Sequence, residues 1–159
     1  MAYPADSDAA FVRASIAVAR RSREHGNHPF GSILVDANGK IVLEAENTVV
    51  TERDCTGHAE TNLMRLIWTR YHPEELVEYT VYASTEPCVM CAGAMYWAGV
   101  GRVVYGLSAE ALYRMTGASP ALPLPCREVF ARGVRPVQVE GPLIEDEARV
   151  VHEGFWNKG

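Results

Sequence analysis

Long apolar runs are missing from this sequence. No stretch approaches the roughly 20 consecutive apolar residues that a membrane-spanning helix needs. The first six residues, MAYPAD, contain neither the basic segment nor the apolar segment of a secretory signal. We therefore expect a cytoplasmic protein with no membrane contact.

An excess of positive charge is also missing. The chain carries 15 Lys and Arg residues against 20 Asp and Glu residues, which gives a formal net charge of −5. Nucleic-acid-binding proteins usually need a basic surface, because neutralising phosphates supplies much of their affinity. The charge balance therefore favours a small-molecule substrate and argues against nucleic acid as a partner.

Cysteine is scarce, with four residues in the chain. Two of them, Cys88 and Cys91, form a Cys-x-x-Cys motif. In a chain without a secretory signal, this spacing favours metal or redox chemistry over a framework of disulfides.

The length of 159 residues and the 48% hydrophobic fraction are typical of one globular domain, which we expect to span residues 1–159. After an N-terminal helix that ends at Gly26, the pattern predicts a hairpin of strands at 32–35 and 41–43. Further strands are predicted at 79–83, 102–106 and 134–139. Helices are predicted at 58–71, 88–97, 108–114 and 144–156, with a Pro-rich loop at 118–125. This alternation predicts a three-layer α/β/α domain, with helices on both faces of a mixed five-stranded sheet.

Two short motifs carry the chemistry. His58, Cys88 and Cys91 are good zinc ligands, and three protein ligands with one open position for water are typical of a catalytic zinc site. Glu60 is a fourth group that we expect to stay off the metal and to move protons. The sequence therefore predicts Zn²⁺ as cofactor and Glu60 as the catalytic residue.

The spacing of the motifs limits their geometry. His58 and Glu60 would point about 200° apart on a regular helix. They can still converge if His58 lies at or near the N-cap and the metal lies beyond the N-terminus of the helix. Cys88 and Cys91 share the first turn of their own helix, where the positive end of the helix dipole favours thiolate. The spacing predicts two helix N-termini that face one zinc ion.

The pattern His-x-Glu followed by Pro-Cys-x-x-Cys resembles the cytidine-deaminase-like superfamily of zinc deaminases. The resemblance extends from about Pro29 to Gly106, roughly half of the chain. It implies the α/β/α fold, a homodimer or larger assembly, and hydrolytic attack on a ring carbon that carries an amino group.

Several branches of this superfamily share features with the chain. The stretch 85–106 resembles the bacterial tRNA adenosine deaminases, but the acidic tail around 145–147 differs from their basic C-terminal helix. Tyr96-Trp97-Ala98 resembles the guanine deaminases. We therefore predict a deaminase of a free nucleobase or related aminated heterocycle, with a guanine-like purine favoured. A tRNA adenosine deaminase and a cytosine or triazine-type small-ring deaminase remain alternatives.

The same resemblance implies a set of substrate contacts. Asn47 matches an asparagine that binds the edge of the base or sugar, and Trp97 matches an aromatic residue that lines a closed pocket. An acidic residue from late in the chain contacts the base in guanine deaminases, and Glu145 is the position that we name for it. The predicted substrate-binding set is Asn47, Phe30, Trp97, Ala59 and Glu145.

Two other interpretations of the motifs stay open. A structural zinc site would need a fourth ligand, which only Cys55 offers, three residues before His58. We expect Cys55 instead near the mouth of the pocket. A redox Cys-x-x-Cys is also possible, although such motifs do not require a His-x-Glu.

Overall fold

The computed structural model describes residues 5–117 and 121–156. Residues 1–4, where we expect no signal, and residues 118–120 of the predicted Pro-rich loop lie outside the described residues. In chain order the elements are α1 (Ala5–Glu24), β1 (Gly31–Val35), β2 (Ile41–Glu46), α2 (Ala59–Trp68), α3 (Pro73–Leu76), β3 (Thr80–Thr85), α4 (Val89–Ala98), β4 (Arg102–Leu107), α5 (Ala109–Thr116), α6 (Cys126–Ala131), β5 (Gln138–Glu140) and α7 (Glu145–Val150).

The five strands form one mixed sheet in the order β2-β1-β3-β4-β5. β1 pairs antiparallel with β2 and with β3, whereas β3, β4 and β5 run parallel. The β1–β2 turn is stabilised by Asp36, whose carboxylate accepts the backbone N–H groups of Asn38 and Lys40 at 2.9 and 3.0 Å. Every residue of β3 and β4 is buried, as expected for parallel strands covered on both faces.

Helices cover both faces of the sheet. One core joins α2, α4 and α6 to the sheet, with Leu63 and Met95 among its buried residues. The other core joins α1, α5 and α7, with Val12 and Val104 among its buried residues. The predicted three-layer α/β/α domain with a mixed five-stranded sheet is therefore confirmed. No helix within residues 5–117 and 121–156 combines the length and apolar character needed to cross a membrane.

Two predicted elements near the C-terminus differ from the structure. The strand predicted at 134–139 is shorter and later, at Gln138–Glu140, and Val134 is fully exposed. The helix predicted at 144–156 ends at Val150. Beyond it, backbone N–H groups bond to carbonyls three residues earlier, and Gly154 has a φ of 70°. The tighter turns bring residues 151–156 back against the rest of the domain.

A buried ion pair joins α1 to the central strands. The Arg102 guanidinium donates to both carboxylate oxygens of Asp8, at 2.9 and 2.7 Å, and the Tyr82 hydroxyl donates to Asp8 Oδ1 at 2.6 Å. Burial alone would raise the pKa of Asp8, but the hydrogen bonds from Arg102 and Tyr82 and the charge of Arg102 lower that pKa below its ordinary value. The pair fixes the first turn of α1 over the start of β4.

Replacing Asp8 by Ala should lower the free energy of unfolding by about 3–5 kcal/mol, because it leaves a buried guanidinium without its partner. Urea unfolding at pH 7 measures this change. The matched control is Asp6→Ala, at an exposed position in the same turn, where less than about 0.5 kcal/mol is expected.

The stability contributed by Asp8 should also depend on pH. Because folding lowers its pKa, this contribution is complete above the unfolded-state pKa of about 4 and is lost as the pH falls through the folded-state pKa. The difference in unfolding free energy between wild type and Asp8→Ala should therefore shrink at acidic pH. A difference that stayed constant down to pH 2 would contradict this account.

Candidate active site

Two helix starts face each other at the site. His58 is the N-cap residue of α2 and Cys88 is the N-cap residue of α4, and both have extended backbone angles. Cys91 lies in the first turn of α4. α2 and α4 pack side by side, so the side chains beyond their N-termini meet. The structure therefore shows the arrangement that the motif spacing predicts.

The end of β3 is held by its neighbours. The backbone N–H of Glu86 donates to Leu107 O at 2.7 Å. The Glu86 carboxylate accepts the N–H groups of Ala109 and Cys126, at the starts of α5 and α6, at 3.1 and 3.0 Å. The segment that carries Cys88 is thus attached to three other elements before the helix begins.

The three predicted ligands form a compact triangle. His58 Nδ1, Cys88 Sγ and Cys91 Sγ lie 3.5 Å from one another along all three edges. Tetrahedral zinc, with bonds of about 2.3 Å to sulfur and 2.0–2.1 Å to nitrogen, places its ligand atoms about 3.4–3.8 Å apart. The donor atoms therefore fit a zinc ion in both type and separation.

The electrostatics of the triangle also favour a cation. A hydrogen bond with Cys91, together with the hydrogen bond and charge of His58, lowers the pKa of Cys88 to about 4, although burial acts in the opposite direction. The hydrogen bond with Cys88, followed by burial, raises the pKa of Cys91 well above its ordinary value. One thiolate thus opposes the formation of the second. A divalent cation bound by both sulfur atoms would remove this conflict.

Glu60 lies beside the triangle without belonging to it. The residue is 5% exposed, and its Oε2 accepts a hydrogen bond from Cys91 Sγ at 3.3 Å. Burial, and then the negative charge of Cys88, raise the pKa of Glu60 to about 7. A buried carboxylate with this pKa is suited to both taking and giving protons near neutral pH.

A cavity of about 390 Å³ opens onto these groups. His58, Glu60 and Cys88 lie at its base, and its other walls are mostly apolar. The lining residues outside the two motifs are Phe30, Cys55, Thr85, Glu86, Val89, Met90, Ala109, Leu112, Tyr113 and Leu122. A volume of this size accommodates a small heterocycle with most of its surface covered.

Sequence reasoning missed the wall formed by α5. Leu112, Tyr113 and Leu122 come from the part of the chain whose pattern was hardest to interpret. One sequence feature could have predicted this wall. Two large residues, Leu112 and Tyr113, are adjacent in the chain and follow a strand that ends beside the Cys-x-x-Cys motif.

Three of the predicted substrate contacts lie at or next to the cavity. These three are Phe30, Asn47 and Ala59, and Phe30 lines the cavity. Cys55, which we expect near the mouth of the pocket and not as a substrate contact, is exposed and also lines the cavity. Asn47 is buried beside Phe30, and its backbone N–H donates to Phe30 O at 3.2 Å, while its side-chain oxygen accepts the N–H of Val49. Ala59 is fully buried, with its carbonyl bonded to the Ser32 hydroxyl.

Trp97 and Glu145 lie outside the cavity of their own chain. Trp97 follows Cys91 by six residues, about 240° around α4, so it lies on the outer face of the helix and is 80% exposed. Glu145 Oε2 accepts the backbone N–H of Ser108 at 2.9 Å and so stabilises the start of α5. Neither side chain lines the cavity beside His58.

Comparison with known proteins identifies a family and a fold. The family described as "Cytidine and deoxycytidylate deaminase zinc-binding region" matches residues 5–107. A probable cytosine deaminase of Schizosaccharomyces pombe is 42% identical over 158 residues, which cover 97% of this chain and 95% of the relative. The guanine deaminase of Bacillus subtilis is 40% identical over 77 residues, which cover 48% of this chain and 49% of that protein.

A solved structure extends the likeness to the whole fold. The guanine deaminase from Nitrosomonas europaea superposes with a TM-score of 0.76 over 95% of this chain and 83% of its own, at 23% identity. At this identity the likeness shows the shared fold. The zinc-binding character of the matched family agrees with the ligand triangle.

Replacing Cys88 or Cys91 by Ser should abolish tight zinc binding, because each removes one of three ligands. Even the loss of an outer-shell partner typically costs 10–100-fold in metal affinity. Metal analysis of the purified protein, at one zinc per chain for wild type, measures this change. Cys55→Ser is the matched control and should retain zinc. Loss of zinc from Cys55→Ser would indicate a closed structural site with four ligands.

Proposed function

The chain belongs to the cytidine and deoxycytidylate deaminase zinc-binding family, and from this membership we propose that it deaminates a free aminated nucleobase by hydrolysis. The observation that carries the proposal is the arrangement of Glu60 beside the triangle of His58, Cys88 and Cys91, at the base of a small apolar cavity. This combination provides three metal ligands, one separate proton carrier and room for one flat ring.

The reaction adds one water molecule and releases one ammonia, so that a ring carbon bearing an amino group becomes a carbonyl carbon. A zinc ion held by His58, Cys88 and Cys91 would acidify the attacking water. Glu60 takes one proton from the attacking water and delivers it to a ring nitrogen as the hydroxyl adds to the carbon. It then moves the proton of that hydroxyl to the amine, which leaves as ammonia when the C–N bond breaks. The hydrogen bond that Glu60 accepts from Cys91 supports this role, because the carboxylate lies beside the ligand triangle and outside it.

The cavity walls suit a flat heterocycle. Phe30 and Tyr113 provide aromatic rings, whose faces pack well against planar bases. Leu112, Leu122 and Met90 provide an apolar lining that excludes bulk water from the reacting groups.

The choice between bases rests on which part of the chain each likeness covers. The similarity to the probable cytosine deaminase covers 97% of the chain and so includes α5, which forms one wall of the cavity. The similarity to the Bacillus guanine deaminase covers 48% of the chain. We therefore place a cytosine-type pyrimidine first. The guanine-like purine favoured by Tyr96-Trp97-Ala98 is the second candidate.

We also propose a homodimer formed through the outer faces of α2 and α4. Trp68 and Trp97 are 59% and 80% exposed there, and they border an apolar depression of about 600 Å³ with Met64, Ala94 and Ala98. Large aromatic residues exposed on one face are typical of the centre of a protein interface. Trp97 could therefore contact a base only across this interface, in the cavity of the partner protomer. The single domain over 1–159 and the cytoplasmic location stay predictions.

Wild type should release ammonia from cytosine, and Glu60→Gln should lower the rate by about 10²–10⁴-fold while zinc content stays at one per chain, because the proton carrier is lost. An ammonia-release screen over cytosine, guanine, adenine, a triazine and tRNA measures both. Glu74→Gln, at an exposed position on α3, is the matched control.

Two outcomes of the screen would contradict the proposal. Retention of more than a tenth of the rate by zinc-loaded Glu60→Gln would remove Glu60 from its role. Activity on tRNA alone, with RNA binding that weakens steeply with salt, would favour the tRNA adenosine deaminase alternative.

Replacing Trp97 by Arg should shift the protein from dimer to monomer, because a charge at the centre of an apolar interface is costly to bury. Sedimentation velocity over a range of concentrations measures the shift. Val134→Arg is the matched control, since Val134 is fully exposed and does not border this depression. A wild type that is monomeric at all concentrations would contradict the proposed dimer.

A further inference from the structure

The turns after α7 bring an aromatic group against the wall of the cavity. His152 and Phe30 have ring centroids 5.3 Å apart, and Trp156 lies 5.4 Å from His28 and 6.0 Å from Phe30. His152 is 1% exposed, and no step of the proposed reaction uses it. His152 is thus a buried imidazole in contact with a cavity-lining residue, and both of its ring nitrogens form hydrogen bonds.

The hydrogen bonds of His152 determine its tautomer. Trp156 Nε1 lies 3.1 Å from His152 Nδ1, and an indole N–H can only donate. His152 Nδ1 therefore accepts and carries no proton. Burial, and then the charge of Arg23, lower the pKa of His152 to about 4, so the ring is neutral at pH 7. Its single proton lies on Nε2.

The proton on Nε2 determines the role of Thr85. His152 Nε2 lies 3.3 Å from Thr85 Oγ1, so the imidazole donates and the hydroxyl accepts. A hydroxyl that accepts from one partner keeps its own proton for another. Within residues 5–117 and 121–156, His152 is the protein group to which this hydroxyl is bonded. Thr85 lines the same cavity as His58, Glu60 and Cys88.

We infer that Thr85 is a specificity-determining residue whose hydroxyl donates a hydrogen bond to the bound base, and that His152 and Trp156 are positioning residues that hold it in the donor state. The group recognised is a carbonyl oxygen or an unprotonated ring nitrogen of an aminated heterocycle. The inference rests on the proposed function and adds a substrate contact to it.

Thr85→Val removes the hydroxyl at nearly constant volume. With cytosine and guanine as substrates, kcat/KM should fall about tenfold, mainly through a higher KM, because one hydrogen bond to the base is lost. Thr85→Ser keeps the hydroxyl and should stay within about threefold of wild type. Thr80→Val, the same change at the opposite end of β3, is the matched control and should equal wild type. Zinc content and melting temperature are measured for each variant.

Trp156→Phe tests the positioning role, because it keeps an aromatic ring against Phe30 and His28 but removes the N–H. His152 can then carry its proton on Nδ1, and its Nε2 competes with the substrate for the Thr85 proton. A loss of about threefold is expected in Trp156→Phe alone, and no further loss when it is combined with Thr85→Val.

Each contrary result has a distinct meaning. The role of Thr85 would be overturned if Thr85→Val had the same kcat/KM as Thr80→Val. It would also be overturned if Thr85→Ser lowered kcat/KM as much as Thr85→Val. The positioning role would be overturned if Trp156→Phe left kcat/KM unchanged. It would also be overturned if Trp156→Phe lowered kcat/KM equally in the wild type and in Thr85→Val. Wild type that releases no ammonia from either base would overturn the proposed function together with this inference. An active wild type with an unresponsive variant series would overturn the inference alone.

Discussion

The meeting of two helix N-termini is the constraint on which the rest of the structure depends. α2 and α4 begin side by side, and only at their first residues can His58, Cys88 and Cys91 come within 3.5 Å of one another. The sheet makes this possible because β3 ends directly before α4 and is anchored by Glu86 to α5 and α6. A shift of one turn in either helix would separate the three donor atoms.

The same constraint divides the roles of the charged groups. Two sulfur atoms at this separation resist carrying two negative charges, so the triangle favours a divalent cation. Glu60, the second residue of α2, lies beside the triangle but stays outside the ligand set. The apolar wall formed by Leu112, Leu122 and Met90 limits the size and shape of the molecules that can reach these groups.

Sequence reasoning succeeded where the chemistry depends on neighbours in the chain. The three side chains that meet in the triangle were identified from residue type and short spacing, and the two facing helix starts from the angle between positions 58 and 60. It was less accurate for the last strand, which is shorter than predicted, and for the last helix. The helix ends early because the turns after Val150 and the positive φ of Gly154 interrupt a pattern that is otherwise helical. Trp97 was expected in the pocket, but the rotation of α4 turns it outward.

The sequence by itself determined the three-layer fold and the three side chains that could hold a metal, because these follow from the alternation of apolar segments and from local spacing, and it predicted Glu60 as the proton carrier. Only the tertiary structure decided the walls of the cavity and the contact between His152 and Thr85, because both bring together residues that are distant in the chain. His152 and Thr85 are 67 positions apart. The division returns to the two helix starts: the motifs specify which groups they carry, whereas the packing of distant segments around them determines what those groups can bind.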